Sequence, residues 1–177
     1  PAHRLLLELS VKAIENAGYS LESLSGSNTS VFLGMKDSAY SSFIDRTDVS
    51  AITGNMNAMA AGKISYYLNL QGPSMVMDTA CSSSLVAIHQ GCQSILNGDS
   101  EYSLCGAMRL VYEFASVASV DNLGITSSDG RIRTFDAEST GTGTGVGGGV
   151  VLLKTFADAD RDGDHIHAVI LATAINN

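Results

Sequence analysis

Positive charge is scarce in this chain. Ten Lys and Arg face eighteen Asp and Glu, leaving a formal charge of −8 at pH 7. A sequence-independent grip on nucleic acid needs a basic face, so the balance argues against that class of partner. Long apolar runs are missing as well. None approaches the ~20 residues that span a bilayer. The opening Pro1-Ala2-His3-Arg4 leads straight into an amphipathic segment and does not read as a secretory leader. Cysteine is limited to three widely spaced residues, an odd number. That excludes a disulfide scaffold and fits a reducing, cytoplasmic setting. Proline is reduced to two residues.

What is present is glycine and aliphatic residues. Eighteen glycines cluster in a way that suggests tight turns and close backbone packing rather than a linker. With 45% apolar and 16% charged residues, the chain can bury a core, and disorder is excluded. Its 177 residues suit one domain or a piece of one. The start without Met and the stop at Asn176-Asn177, directly after an apolar run, suggest a fragment.

The periodicity alternates. Leu7, Val11 and Ile14 predict a helix over 4–17, stopped at Gly18. Ser30–Gly34 reads as a buried strand, 36–50 as irregular, and 51–68 as partly helical, with Ala58, Ala60, Ala61 and Ile64 on packing faces. After Gly72-Pro73, Ser74–Thr79 reads as a strand. Leu85, Ile88, Cys92 and Ile95 then follow helical spacing up to Asn97-Gly98, which would make Cys92 a core residue. Tyr102–Met108 is a strand candidate that would bury Cys105, and 114–123 a short helix. Gly141–Gly149 reads as a loop leading into the strand Val150–Leu153, and Ile166–Ile175 as a last strand. Strands alternating with helices, several of them continuous apolar runs, predict an α/β fold with a buried sheet.

One segment points to chemistry. In Asp78-Thr79-Ala80-Cys81-Ser82-Ser83-Ser84-Leu85, a cysteine falls where a strand turns directly into a helix. The first helical turn offers unpaired N–H groups and the positive end of the dipole, which favour an anionic sulfur, and thiolate is the nucleophile. The same N–H groups can hold an oxyanion. Small residues on both sides, Ala80 and Ser82 to Ser84, permit a close substrate approach. A buried, inert free cysteine is the competing reading, and the residues alone leave both open.

The segment Asp78–Ala87 closely resembles the active-site segment of β-ketoacyl synthases, specifically the ketosynthase domains of modular polyketide synthases. The resemblance runs through the chain. It includes Pro1–Glu8, Gly72-Pro73-Ser74, Ser128-Asp129-Gly130-Arg131 and Phe135-Asp136-Ala137. It continues through the glycine-rich segment into Val151-Leu152-Leu153-Lys154, then Arg161-Asp162-Gly163-Asp164 and Ala174–Asn177. It implies a thiolase-like fold, layered αβαβα in a complete, usually dimeric domain. It makes Cys81 the catalytic nucleophile. It also implies that residues 1–177 are a partial ketosynthase domain lacking the first strand and the C-terminal half with its two histidines and lysine, so that the piece alone is inactive in condensation.

The implied reaction is a decarboxylative Claisen condensation. Cys81 accepts an acyl group from a carrier-protein phosphopantetheine, and a malonyl-type extender attacks it. Acyl carrier protein is the implied partner, and no metal or redox cofactor is implied. Alternatives are a ketosynthase of a fatty-acid or polyunsaturated fatty-acid synthase, and a non-catalytic truncated chain acting only in association. Thr142, Thr144 and Val146 stand where many polyketide ketosynthases carry Tyr, Arg and Glu. The Gly-Thr start of that loop and the Ile-Asn-Asn ending resemble hybrid polyketide–peptide assembly lines. Cys105-Gly106-Ala107-Met108 also departs slightly from the family's usual small-residue pattern.

Other patterns carry less. Asp158, Asp160, Asp162 and Gly163 match the start of an EF-hand loop, but Val169 occupies position 12, where a bidentate Glu is required. The run reads instead as a solvated turn between helix and strand. Gly143, Gly145 and Gly148 match GxGxxG, but a strand follows where a helix must. His165 and His167 alternate on a strand without further metal ligands nearby in sequence. His89 is about 12 Å along the helix from Cys81, too far to act as its base. His3 reads as an exposed first-turn residue. Carrier docking depends on local patches, with Arg131, Arg133 and Lys154 as candidate members.

Overall fold

The computed structural model describes residues 1–36, 40, 43, 49–112 and 124–176. Helix α1 (Ala2–Asn16) buries Leu6, Ser10 and Ile14, one residue per turn on one stripe. Ser10 satisfies its hydroxyl by donating to the Leu6 carbonyl at 2.8 Å. Gly18 leaves the helix at φ +84°, the left-handed conformation glycine adopts without cost. A single turn, α2 (Leu21–Leu24), is capped by the Ser20 hydroxyl. Strand β1 (Thr29–Gly34) follows, then helices α3 (Val49–Asn55) and α4 (Ala58–Leu68), and strand β2 (Ser74–Met77). A 3₁₀ turn (Ala80–Ser82) opens helix α5 (Ser83–Leu96), which leads to strands β3 (Tyr102–Arg109) and β4 (Gly147–Leu153) and helix α6 (Phe156–Asp162).

The described strands form one sheet in the order β2-β1-β3-β4. β1 pairs in parallel with β2 and β3, while β4 runs antiparallel to β3. All six residues of β1 are buried, as a central strand covered on both faces must be. Alternation divides its side chains. Val31, Leu33 and Leu104 face α1 and α4 in a core with Leu6, Ile14 and Ile64. Phe32 and Cys105 face α5, packed on Ala87.

Three sequence expectations change. The 166–175 run joins no sheet. An apolar pattern demands cover, not a ladder, and a strand exists only where a partner strand accepts its backbone. Here the run lies beside α5 and β4, lining with Ile88, Cys92 and Leu153 a largely apolar cavity of about 570 Å³. The His89 ring holds the Thr173 hydroxyl at 2.9 Å. Second, the acidic run 158–162 is helical rather than a turn, capped by Thr155 at its start and by left-handed Gly163 at its end. Third, glycines 147–149 belong to β4 and not to the loop before it. Gly148 of β4 and Gly106 of the facing β3 each pack against atoms of the opposite strand too closely to admit a Cβ. The expected helix over 114–123, and most of the irregular stretch 36–50, lie outside the described residues.

Candidate active site

The pattern Leu85-Ile88-Cys92-Ile95 predicts the wrong buried stripe for α5. Its buried residues are Ser83, Ala87, Gly91 and Ser94, while Leu85 is 71% exposed. The reason is distance. A Cβ on Gly34 at the end of β1 would lie 2.7 Å from the Ser83 backbone, and one on Gly91 would overlap the Cys105 sulfur. Only small residues fit beneath a helix this close to a sheet, so the larger apolar residues face away. Cys92 is accordingly half-buried on the cavity side rather than in the core.

This close seating presents Cys81. β2 ends at Met77, two residues earlier than the apolar pattern suggests, because Asp78 and Thr79 belong to the turn. The Ala80 N–H donates to Asp78 Oδ1 at 2.9 Å, and the Thr79 N–H donates to Ser83 Oγ at 2.9 Å. The Ser83 hydroxyl donates in turn to the Ala80 carbonyl at 2.7 Å. The Ser82 hydroxyl donates to the Thr79 carbonyl at 2.8 Å. Between these ties Ala80 is held at φ +55°, which costs a non-glycine residue roughly 1–2 kcal/mol. The consequence is a reversal within three residues that leaves Cys81 exposed at the tip. The Ser82 side chain makes no capping bond to α5, so it does not occupy the helix's first N–H groups.

The three thiols are therefore unlike one another. Cys81 is exposed, Cys92 half-buried and Cys105 buried. Burial pushes the Cys92 thiol up, and pushes Cys105 up to about 12. Neither forms a thiolate readily at neutral pH. The turn's hydroxyl and carboxylate ties escape a reading of residue types, although the density of Ser, Thr and Asp over 78–84 is a recognisable turn signal. Left-handed Ala80 has no signal in the sequence.

The other candidates fall away from Cys81. His165 and His167 stack edge-to-face at 4.5 Å, and His167 pairs with Asn16 at 2.7 Å. His3 is half-buried rather than exposed, and burial, followed by the Lys63 charge, lowers it to about 4. Lys154 is no docking cation. It is only 10% exposed and grips Asp162 at 2.6 Å and Asp164 at 2.7 Å. It also donates to the Tyr19 hydroxyl at 2.8 Å and lies over the Tyr19 and Tyr102 rings. Burial disfavours its charge, but these three partners outweigh that and raise it. Arg133 is held by both oxygens of Asp129, whose carboxyl this pairing, with Ser127 and the Arg131 N–H, lowers strongly. Asp158 is likewise engaged, by Arg161 and Thr155. No group of three or more His, Cys, Asp and Glu among the described residues could hold a metal ion. No described helix is long and apolar enough to cross a membrane.

A mixed sheet flanked by helices, with an exposed cysteine on a strained strand-to-helix turn, defines a thiol-bearing α/β protein, and its likeness to ketosynthase structures makes the fold thiolase-like. The family is specific. Residues 1–159 match the model for the β-ketoacyl synthase N-terminal domain, and the chain belongs to that family. Over 99% of its length it is 44% identical to the 6-methylsalicylic acid synthase of Aspergillus terreus, covering 10% of that protein. Over its whole length it is 40% identical to the polyketide synthase PksN of Bacillus subtilis, covering 3% of it. Among solved structures, the ketosynthase from module 6 of the bacillaene synthase of Bacillus subtilis superposes with a TM-score of 0.86 at 37% identity. That match covers 94% of this chain and 28% of the other. The oxazolomycin ketosynthase domain from a Streptomyces albus strain gives 0.83 at 33% identity, covering 93% and 29%.

Proposed function

We propose that this chain carries the nucleophile of a polyketide synthase ketosynthase, and that Cys81 is that nucleophile. The observation that carries the reading is the exposure of Cys81 on the strained 78–82 turn at the start of α5. Polyketide synthases among the relatives favour that pathway over fatty-acid synthesis. The substrate is an acyl thioester on the phosphopantetheine of an acyl carrier protein. The Cys81 sulfur attacks the thioester carbonyl, and the tetrahedral oxyanion accepts hydrogen bonds from backbone N–H groups at the start of the helix, that of Cys81 included. The carrier thiolate leaves. A malonyl-type extender then loses CO₂, the electrons of the broken C–C bond attack the Cys81 thioester, and the cysteine sulfur departs as β-ketoacyl product forms. No metal or redox group takes part. The parent enzyme is a cytoplasmic homodimer.

Acyl loading tests this reading. The chain is incubated with an acyl-pantetheine thioester and each cysteine is assigned by peptide mass mapping. Acyl mass is expected on Cys81 alone and is expected to vanish in Cys81→Ala, whose fold is retained. Acyl transfer that survives in Cys81→Ala, or that falls on Cys92 or Cys105, removes the basis for the assignment.

A further inference from the structure

A chain of buried hydroxyls runs from the far end of α5 into the sheet. Ser94, near the helix C-terminus, shares a hydrogen with Ser100 at 2.8 Å. Ser100 meets Ser30 of β1 at 3.0 Å, Ser30 donates to Ser103 of β3 at 2.8 Å, and Ser103 contacts the Cys105 sulfur at 3.2 Å. The four serines are each at most 5% exposed. An apolar core would stabilise the molecule as well, since the net value of each buried hydrogen bond is only ~1 kcal/mol. What directional bonds add is one preferred register. Directly beside the chain sits Gly91, whose absent Cβ would overlap the Cys105 sulfur and lie 2.7 Å from Ser103 Oγ.

We infer that Ser94 and Gly91 are positioning residues for Cys81. Through the Ser94–Ser100–Ser30–Ser103 chain and the close seat on β3 they fix how α5 lies on the sheet, and thereby where its first turn holds the nucleophile. α5 has close seats on the sheet at Gly91 on β3 and at Ser83 on Gly34 of β1, with Ala87 packed on Phe32 and Cys105 between them. Gly91 is eight residues beyond Ser83, about 12 Å along the axis. A methyl at Gly91 lifts the helix there by roughly 1 Å to reach an ordinary contact near ~3.5 Å. With Ser83 wedged on Gly34, the lift becomes a tilt about that wedge. The 78–82 turn, tied to Ser83 by its hydroxyl, moves with it. The inference rests on the reading of Cys81 as the acylated residue, and its test separates the two.

Two rates at Cys81 are measured in the 177-residue chain, with melting temperature followed alongside. They are acylation by a saturating acyl-pantetheine thioester and alkylation by iodoacetamide. Gly91→Ala is expected to lower both roughly fivefold, the scale of a helix-end interaction of ~1 kcal/mol. The half-saturating thioester concentration should stay unchanged. Gly91→Ala combined with Cys105→Ala, which removes the overlapping sulfur, should restore most of each rate. Ser94→Ala adds no volume, so it decides the matter even where Gly91→Ala does not fold, and it should lower both rates. Wild-type rates in the folded variants, with only the melting temperature reduced, overturn the inference. Absence of acylation in the wild type, with alkylation still slowed by Gly91→Ala and rescued by the double variant, defeats the acylation reading and leaves the positioning role standing.

Discussion

The two faces of the sheet are built on different principles. Against α1 and α4 the sheet packs Leu, Ile and Val in volume, with Leu6, Ile14, Leu33 and Leu104 fully buried. Against α5 it packs Ser30, Phe32, Gly34, Ser103 and Cys105 under Ser83, Ala87, Gly91 and Ser94, so that Phe32 is the one large side chain among small ones. The first face removes apolar area from water and so supplies stability. The second buries Phe32 but otherwise small residues, and it brings backbones close and ties them with directional bonds. Stability and placement of the reactive residue are thus assigned to opposite sides of one strand.

The largest expected break in this contrast is on the aliphatic face. Leu104→Ala should cost about 3 kcal/mol of unfolding free energy, the usual range for a buried leucine with a cavity left behind. Denaturant unfolding reads this directly, and alkylation of Cys81 in the folded fraction should stay at the wild-type rate. A cost below ~1 kcal/mol would mean that this face is not the one holding the fold.

Next in size is the clip at the edge between the faces. Lys154→Met leaves two carboxylates facing an apolar side chain and should cost about 2 kcal/mol at neutral pH. The pH dependence has a definite sign. Lys154 contributes to holding Asp162 near about 2 and Asp164 below its ordinary value, after Arg161 in the case of Asp162. Depressed carboxyls stabilise the fold above their unfolded value near ~3.9, and that stability is lost as pH falls toward about 2. The wild type should therefore lose melting temperature over this interval more steeply than Lys154→Met. Parallel acid limbs would show that the clip contributes nothing to the fold.

The smallest expected change in stability lies on the tight face. Ser83→Ala removes both hydroxyl ties to the 78–82 turn and should cost about 1 kcal/mol. Its effect on acyl loading should be disproportionate, because Ala80 loses a support for its left-handed backbone. If loading follows the melting temperature and nothing more, placement and stability are not separate on this face.

The legible parts of the molecule were those set by period and punctuation. α1, β1, β3 and the helix after Cys81 follow from spacing and from the stops at Gly18 and Gly98. Cys81 at a strand–helix junction follows from the change of period alone. The stripe of α5 was illegible because hydrophobicity ranks Leu85 above Gly91, whereas separation from the sheet selects for size. The 166–175 run misled for a related reason, since apolar alternation reports a need for cover and not the presence of a pairing edge. Lys154 looked like a surface cation because its partners Tyr19 and Tyr102 lie far away in sequence.

The position of β1 at the centre of the sheet also bears on how the chain acquires its fold. Val31 pairs with Ser74 about forty residues later and with Leu104 about seventy residues later, both across parallel crossovers. During synthesis at ~5–20 residues per second, β1 waits several seconds for its partners while its buried sequence stays open to solvent. Only once β3 emerges can the hydroxyls of Ser30 and Ser103 meet. Folding by distant pairings is slow compared with helical hairpins, so β1 is, among the described strands, the one that spends longest in synthesis without its full set of partners.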